Sequence, residues 1–574
     1  MENFRDFPER SNRPMRFLPN RSPGKFLGST FLAIMVLAAM SAQADTCSNL
    51  KNTFSLPHLT ITSAETIPAG SFKTSNSDGR VPVSDLPAFC RVIGTLTPVS
   101  DSQIAVEVWM PVSGWNGELQ SIGNHELGGV FFYGDMATEL KRNFAVASTD
   151  TGHTDIADAN WAIGHPEKVV DFGWRAVHEM TVTAKAVIAS FYGSNPRYSY
   201  FNGCSSGGRE ALKEAQKFPA DYDGIISGSA MNYWTHSHVE HIWNAQTMLQ
   251  DGVTGAHFLP RDKHKLVIDA ALNYCRNSDT EASTDGFLTN PSRCDWKPQM
   301  LVCKAGQDPS TCITAEQAQS LDKLFSPILN PRTKEQVYPA SMKTIELTNP
   351  QGLTNGPAAK YFAGLVFEKP DWDWKSLNYD SDVAFADDKD AKVGQINAID
   401  PDLRAFQARH GKLIGYHGWV DPNFTAAYAV EYYESVVHVI GKESGDHHDG
   451  DGLKETQDFY RFFVAPGMGH CTGGPGPNAF GGLAQPVAAL DPQHDLVSAI
   501  QEWVEHGVAP TQIIATKFVG DDPSKGIAMQ RPLCVYPQEA HYKGAGSATD
   551  PANFECVDAP RNLKPAGARK VSGN

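Results

Sequence analysis

One stretch constrains the fold more than any other: Arg197-Tyr198-Ser199-Tyr200-Phe201-Asn202-Gly203-Cys204-Ser205-Ser206-Gly207-Gly208-Arg209-Glu210. Arg197–Asn202 has the aromatic, alternating character of a strand. Arg209–Lys217 has helical spacing and stops before Pro219. Between them lies a G-x-S-x-G turn with Ser205 at its centre. Glycines let the backbone turn sharply and keep neighbouring side chains off the serine. A helix that begins at once aims free N–H groups and the positive end of its dipole at that serine. Strand, tight turn and helix in this order form the context of a nucleophile elbow. Ser206 is not the nucleophile, because its frame, Cys204 to Gly208, lacks the first glycine.

The flanking sequence predicts the sheet that such an elbow needs. Ile104–Met110 alternates apolar and polar residues, Phe144–Ser148 is a short apolar run, Trp174–Tyr192 has helical spacing, and Ile225–Ile226 begins another strand. Strands alternating with helices argue for a parallel α/β sheet. From about 232 to 395 the periodicity weakens, and Trp and Cys stand among Pro, Asn and Asp. The pattern resumes at Leu413–Tyr416 and Phe462–Val464. At ~150 residues per domain, 574 residues allow two or three domains, or one large domain with an insertion. The interrupted pattern favours a sheet domain from 45–231 and 396–574, with 232–395 inserted. The tract Gly445–Gly452 reads as a solvated loop rather than a metal site.

A serine nucleophile needs a base and an acid to orient that base. In this architecture they follow in the order serine, acid, histidine, each on a loop after a strand. After Leu413–Tyr416 comes His417-Gly418-Trp419-Val420-Asp421-Pro422, and after Phe462–Ala465 comes Pro466-Gly467-Met468-Gly469-His470-Cys471. Asp421 and His470 therefore hold the acid and base positions. His417 precedes the acid and is read as a packed or supporting residue. Cys204 directly precedes Ser205, and Cys471 directly follows His470. A bond between these cysteines would hold their Cα atoms ~5.5 Å apart and pin the two loops together.

The start of the chain indicates the compartment. Six basic residues precede an apolar run, Leu27–Met40, and an Ala42-Gln43-Ala44 site. This is the layout of a secretory signal peptide cleaved after Ala44, with Met15 as an alternative start. The run is shorter than the ~20 residues of a spanning helix, and no later stretch replaces it, so no membrane contact is expected after cleavage. Export favours disulfides among the ten cysteines, all of which lie beyond Ala44. Cys275–Cys294 and Cys303–Cys312 would close short loops, but spacing alone leaves the connectivity open. A net charge of −16 argues against nucleic acid as a partner. His178-Glu179 opens like a zinc-protease motif, but position 182 is Val, and no phosphate-binding loop or dinucleotide fingerprint is present.

At these residues the chain resembles the tannase and feruloyl esterase family, which includes mono(2-hydroxyethyl) terephthalate hydrolases. The matching stretches are Ser148–His153, Phe201–Glu210, Tyr416–Pro422, Val464–Gly474, Arg531–Pro537 and Tyr542–Gly544. The resemblance implies an α/β-hydrolase fold with a large lid inserted between serine and acid, and the triad Ser205, Asp421 and His470. It implies the pairs Cys204–Cys471, Cys47–Cys90, Cys275–Cys294, Cys303–Cys312 and Cys534–Cys556. It places the oxyanion donors at the backbone of Ser206 and of Glu126, in the loop Gly123–Gly129. The carboxylate of Glu126 must then point away from the developing charge. It also implies a structural Ca²⁺ in the lid loop between Cys275 and Cys294, with Asp279, Glu281, Ser283, Asp285 and Phe287 as ligands; hard oxygen donors at near-alternate positions suit that cation. The expected activity is that of a secreted or periplasmic serine carboxylesterase acting on small esters of aromatic acids, feruloyl or galloyl. The alternatives are a terephthalate monoester hydrolase of the same family and an inactive hydrolase-fold binding protein.

Overall fold

Adjacent residues of a strand point to opposite faces of its sheet. Here both members of several adjacent pairs are apolar and buried: Tyr200 and Phe201, Ile225 and Ile226, Leu413 and Ile414. Strands of this kind belong inside a sheet covered on both sides. The computed structural model, which describes residues 47–74, 83–276, 285–347, 356–442 and 449–563, contains such a sheet. The expected leader, 1–44, lies outside the described residues.

In chain order the main strands are β1 (Leu59–Ile67), β2 (Phe89–Leu96), β3 (Ile104–Pro111), β4 (Glu118–Ile122), β5 (Ala145–Thr149), β6 (Tyr198–Cys204) and β7 (Gly224–Gly228). A small hairpin follows, β8 (Ile328–Leu329) and β9 (Gln336–Tyr338), and then β10 (Lys412–Gly418) and β11 (Tyr460–Ala465). Nine of these form one sheet in the order β1-β2-β3-β5-β4-β6-β7-β10-β11. From β5 to β11 every pairing is parallel, whereas β1, β2 and β3 add on antiparallel at one edge. One face carries Phe201, Ile225 and Leu413 under the helices Ala176–Tyr192 and Ala426–Gly441. The other carries Tyr200, Ile226 and Ile414 under Tyr133–Lys141 and Leu496–His506.

β7 pairs directly with β10, so residues 229–411 leave the sheet and return beside their point of departure. This insertion contains the helices Trp234–Met248, His264–Cys275, Ala315–Leu324 and Ser381–Lys392. Its core, which includes Trp234, Val239, Tyr338, Tyr361 and Phe362, also takes in Leu127 and Phe424 from the sheet domain. The insertion thus packs onto the loops that follow β4 and β10. Five disulfides join the cysteine pairs that the resemblance implies. Among the described residues no helix is long and apolar enough to cross a membrane.

Three local expectations shift. The helix after the elbow begins at Ser206, not Arg209, because Gly207 and Gly208 are helical despite their poor propensity. Their small size is required: a Cβ on Gly208 would meet the Gly228 carbonyl oxygen at 2.3 Å. Trp174 lies in a π-helical turn, Asp171–Arg175, ahead of the α-helix Ala176–Tyr192. Of the tract Gly445–Gly452, residues 445–448 lie outside the described residues and 449–452 open the helix Asp449–Gln457.

Asp495, fully buried, caps the helix Leu496–His506 by accepting from the Ser498 N–H at 2.9 Å. Arg142, just after Tyr133–Lys141, donates to both of its carboxylate oxygens, at 3.2 and 2.6 Å. This pair fastens two helices across one face of the sheet. Removing one partner of a buried pair leaves an uncompensated charge, at a cost of ~3–5 kcal/mol. Arg142→Met should therefore lower stability by about 3 kcal/mol in chemical denaturation; a loss under ~0.5 kcal/mol would show that the pair does not fasten the helices.

Candidate active site

The elbow forms because three stretches of backbone come closer than any side chain permits. A Cβ on Gly203 would lie 2.3 Å from the Gly207 carbonyl oxygen, and one on Gly207 would lie 2.8 Å from that of Asn124. A Cβ on Gly123 would meet Gly207 Cα at 2.7 Å. Ser205 sits at the apex with φ 64° and ψ −120°, where a non-glycine residue is strained. Its backbone is held by Ser205 N–H donating to Gly228 O at 3.0 Å and by Met231 N–H donating to Ser205 O at 3.2 Å.

The loop Gly123–Gly129 is clamped onto the helix that follows Ser205. Glu210, buried in that helix, accepts from the Asn124 N–H at 2.9 Å, and Gly207 N–H donates to Asn124 O at 2.7 Å. Burial, the largest influence, raises the Glu210 carboxyl, while Arg209 and the Asn124 hydrogen bonds pull it down. Arg209 is itself buried, donates to Gly173 O at 2.7 Å, and lies over the rings of Phe172 and Trp234. From the other side, Gly129 N–H donates to Asp150 O. Asp150 Oδ1 accepts from Ala105 and Gly152, which turns the family-like stretch Ser148–His153 into a buttress. Glu126 has φ 48° and an exposed side chain, so its carboxylate is directed outward, while Ser206 is buried at the first helical position.

Asp421 and His470 meet. His470 Nδ1 lies 2.8 Å from Asp421 Oδ2. Asp421 Oδ1 accepts from the N–H groups of Asn423 (2.9 Å) and Phe424 (3.1 Å). Burial pushes this carboxyl up, but His470, followed by His417, outweighs burial and holds it well below the ordinary carboxylate range. His417 Nε2 lies 3.2 Å from the same Oδ2 and 2.9 Å from Phe424 O, fully inside the protein. That places His417 behind the acid rather than in front of it. Gly418 lets the two loops touch, since a Cβ there would meet Met468 O at 2.3 Å. The Cys204–Cys471 bond, with Cα atoms 6.0 Å apart, ties the residue before Ser205 to the residue after His470. Ser229 Oγ adds a contact from the Cys471 N–H at 3.3 Å.

The insertion supplies a residue the sequence did not single out. His241, on the helix Trp234–Met248, contacts Asn423 O through Nε2 at 2.8 Å and stacks on Phe424. Phe424 in turn packs edge-on against the His470 ring, centroids 5.2 Å apart. A His among several on one helix carries no such signal without the fold. The same is true of Glu210, whose charge lies on a helix with no solvent face.

Of the calcium residues, Asp279, Glu281 and Ser283 lie outside the described residues. Asp285 Oδ2 accepts from Arg531 Nη1 at 2.9 Å, which leaves Oδ1 for a cation, and Phe287, buried, can offer only its carbonyl. Among the described residues no three acidic, His or Cys side chains gather into a metal site.

Comparison with known proteins places the chain among esterases. A family model described as tannase and feruloyl esterase matches residues 90–557. An uncharacterised esterase of Xanthomonas campestris is 40% identical over 558 residues, covering 93% of this chain and 94% of that protein. A probable feruloyl esterase B-2 of Aspergillus fumigatus is 30% identical over 92% of this chain and 98% of its own length. The crystal structure of feruloyl esterase B from Aspergillus oryzae superposes with a TM-score of 0.80 at 29% identity, covering 90% of this chain and all of that one. A tannin acyl hydrolase from Aspergillus niger shares the fold at a TM-score of 0.70 and 20% identity. The sheet is that of an α/β hydrolase, and the chain belongs to the tannase and feruloyl esterase family.

Proposed function

We propose that the chain is an exported serine carboxylesterase that cleaves esters of aromatic acids through an acyl-enzyme. The observation that carries this reading is the hydrogen bond from a buried Asp421 to His470, tied by Cys204–Cys471 to a strained Ser205. Ser205 Oγ attacks the ester carbonyl and gives its proton to His470 Nε2, since Nδ1 is engaged with Asp421. The carbonyl oxygen takes negative charge and is met by the backbone N–H groups of Ser206 and Glu126. His470 returns the proton to the departing alcohol, and water then releases the acid by the same steps. Asp421 keeps its charge throughout, orienting the ring and stabilising the imidazolium.

Relatives named feruloyl esterase B and C support an aromatic acyl group. Five disulfides support an oxidising compartment, in keeping with the leader at 1–44. A terephthalate monoester shares the aromatic acyl group, and rates on matched methyl ferulate, methyl gallate and terephthalate monoester rank the three. Ca²⁺ at the Cys275–Cys294 loop, held by Asp285 and the Phe287 carbonyl with Asp279, Glu281 and Ser283, would brace the insertion without entering the reaction.

Ser205→Ala and His470→Ala should each lower kcat by about 10⁴-fold or more with the fold intact. Activity above a tenth of wild type in folded Ser205→Ala protein would contradict the assignment and favour the inactive-scaffold reading. The double change Cys204→Ala/Cys471→Ala should cut kcat sharply, because misplacing a reacting group by ~1 Å can cost about 100-fold. Cys534→Ala/Cys556→Ala should mainly lower stability, by ~2–4 kcal/mol. Equal kcat losses in the two pairs, well below both melting temperatures, would refute a specific role for the bond at the site. Excess EGTA should lower Tm, because a ligand bound only by the folded state stabilises it; an unchanged Tm and no calcium by elemental analysis would remove the metal.

A further inference from the structure

The peptide that joins His125 to Glu126 is bonded at one end and open at the other. Its carbonyl oxygen, that of His125, accepts from the Gly128 N–H at 2.9 Å. The peptide is trans, and in a trans peptide the N–H points opposite to the C=O. The Glu126 N–H therefore points away from Gly128, and it has no hydrogen-bond partner among the described residues. An oxyanion donor must be unengaged in this way until the charge develops.

Glu126 does not hold this peptide by its own side chain, which is exposed. Its φ of 48° lies in the left-handed region, which a residue other than glycine keeps only when its surroundings impose it. Those surroundings include the side chains on either side, both buried. Leu127 packs into the core of the insertion. His125 reaches instead to the first turn of the helix Tyr133–Lys141. Its Nε2 lies 3.3 Å from Asp135 Oδ2, and its ring meets Phe132 edge-on with centroids 4.4 Å apart. A carboxylate only accepts, so the imidazole donates.

Asp135 is itself fixed. It is buried in the first turn of its helix, where the helix dipole favours a negative group. Arg142, just beyond the other end of that helix, is bonded to the buried Asp495. An imidazole has few side-chain torsions, so a ring held at its far nitrogen and along its edge restrains the residue that carries it. Residue 125 also carries the carbonyl half of the peptide in question. The steps assigned to Ser205, Asp421 and His470 use neither His125 nor Asp135.

We propose that His125 and Asp135 are positioning residues for the oxyanion: their contact holds the 125–126 peptide so that the Glu126 N–H stays aimed at the carbonyl oxygen of the ester. Neither needs to touch the substrate, so the contact acts on the rate of reaction and not on ground-state binding. This rests on the serine-esterase reading with Glu126 as a backbone donor.

The test measures kcat and KM on methyl ferulate, with the inhibition constants of an arylboronic acid and of ferulate. The boronic acid adds Ser205 Oγ to boron and presents a charged oxygen to the same donors, whereas ferulate, the released acid, has no tetrahedral centre. His125→Leu and Asp135→Ala should each lower kcat about 30-fold, short of the ~10²–10³-fold cost of losing an oxyanion donor outright. KM and the ferulate constant should stay within about threefold, and boronic acid binding should weaken by about the factor lost in kcat. The double variant should lose no more than the worse single variant, because the two residues act through one contact. His125→Gln, which can place a donor near the Nε2 position, should keep kcat within about fivefold of wild type. All comparisons are made well below the melting temperatures. If Asp135→Ala does not fold, His125→Leu against His125→Gln decides alone. Folded His125→Leu with kcat within about threefold of wild type, or with KM and ferulate binding impaired as much as kcat, overturns the positioning role and leaves the esterase reading standing. Equal kcat in His125→Gln and His125→Leu, or an unchanged boronic acid constant beside a fallen kcat, overturns it too. Wild-type protein that neither hydrolyses methyl ferulate nor binds the boronic acid contradicts the esterase reading and this proposal with it.

Discussion

Ser205 and His470 are far apart in the chain, and the residues beside them are joined covalently. The Cys204–Cys471 bond closes a loop of 267 residues that contains the whole insertion. With that bond in place the insertion can pack over the sheet domain without setting the spacing of the Ser205 and His470 loops. Around it, contacts available only to glycine lock each loop to the next. Gly203 and Gly207 seat Ser205 against Asn124, and Gly418 seats the Asp421 loop against Met468 and Gly469. Larger residues at these points would force the backbones apart before the side chain of Ser205, Asp421 or His470 was touched.

The electrostatics follow from burial. Asp421 is buried, and an isolated carboxylate there would be neutral. Two imidazoles and two backbone N–H groups outweigh burial and hold it as an anion facing His470. Glu210 is equally buried, but its hydrogen bonds go to Asn124 of the loop Gly123–Gly129. A buried carboxyl group therefore meets an imidazole in one place and clamps a backbone in the other. The insertion bears on both: Leu127 and Phe424 share its core, and His241 touches Asn423 and Phe424.

Much of this was legible in the sequence, for definite reasons. The G-x-S-x-G turn between a strand and a helix has one geometric solution, and the loops after Leu413–Tyr416 and Phe462–Ala465 occupy the positions where such a sheet exposes residues. The cysteines beside Ser205 and His470 offered a distance constraint that the fold uses. What stayed hidden depends on contacts between distant segments. The helical start at Ser206 could not be read through two glycines, because their value lies in the approach of Gly228 and Asn124. His241 and Glu210 look like ordinary helix residues until Asn423 and Asn124 are placed against them.

The central claim is that Ser205 is the one activated nucleophile of this chain. The most direct measurement treats folded wild-type protein with a fluorophosphonate at a slight molar excess, digests it and locates the added mass by tandem mass spectrometry. The account predicts one modification per chain, on Ser205, with loss of esterase activity in proportion to labelling. An unlabelled Ser205 in protein that is folded and active, or stoichiometric labelling at another residue, would contradict it.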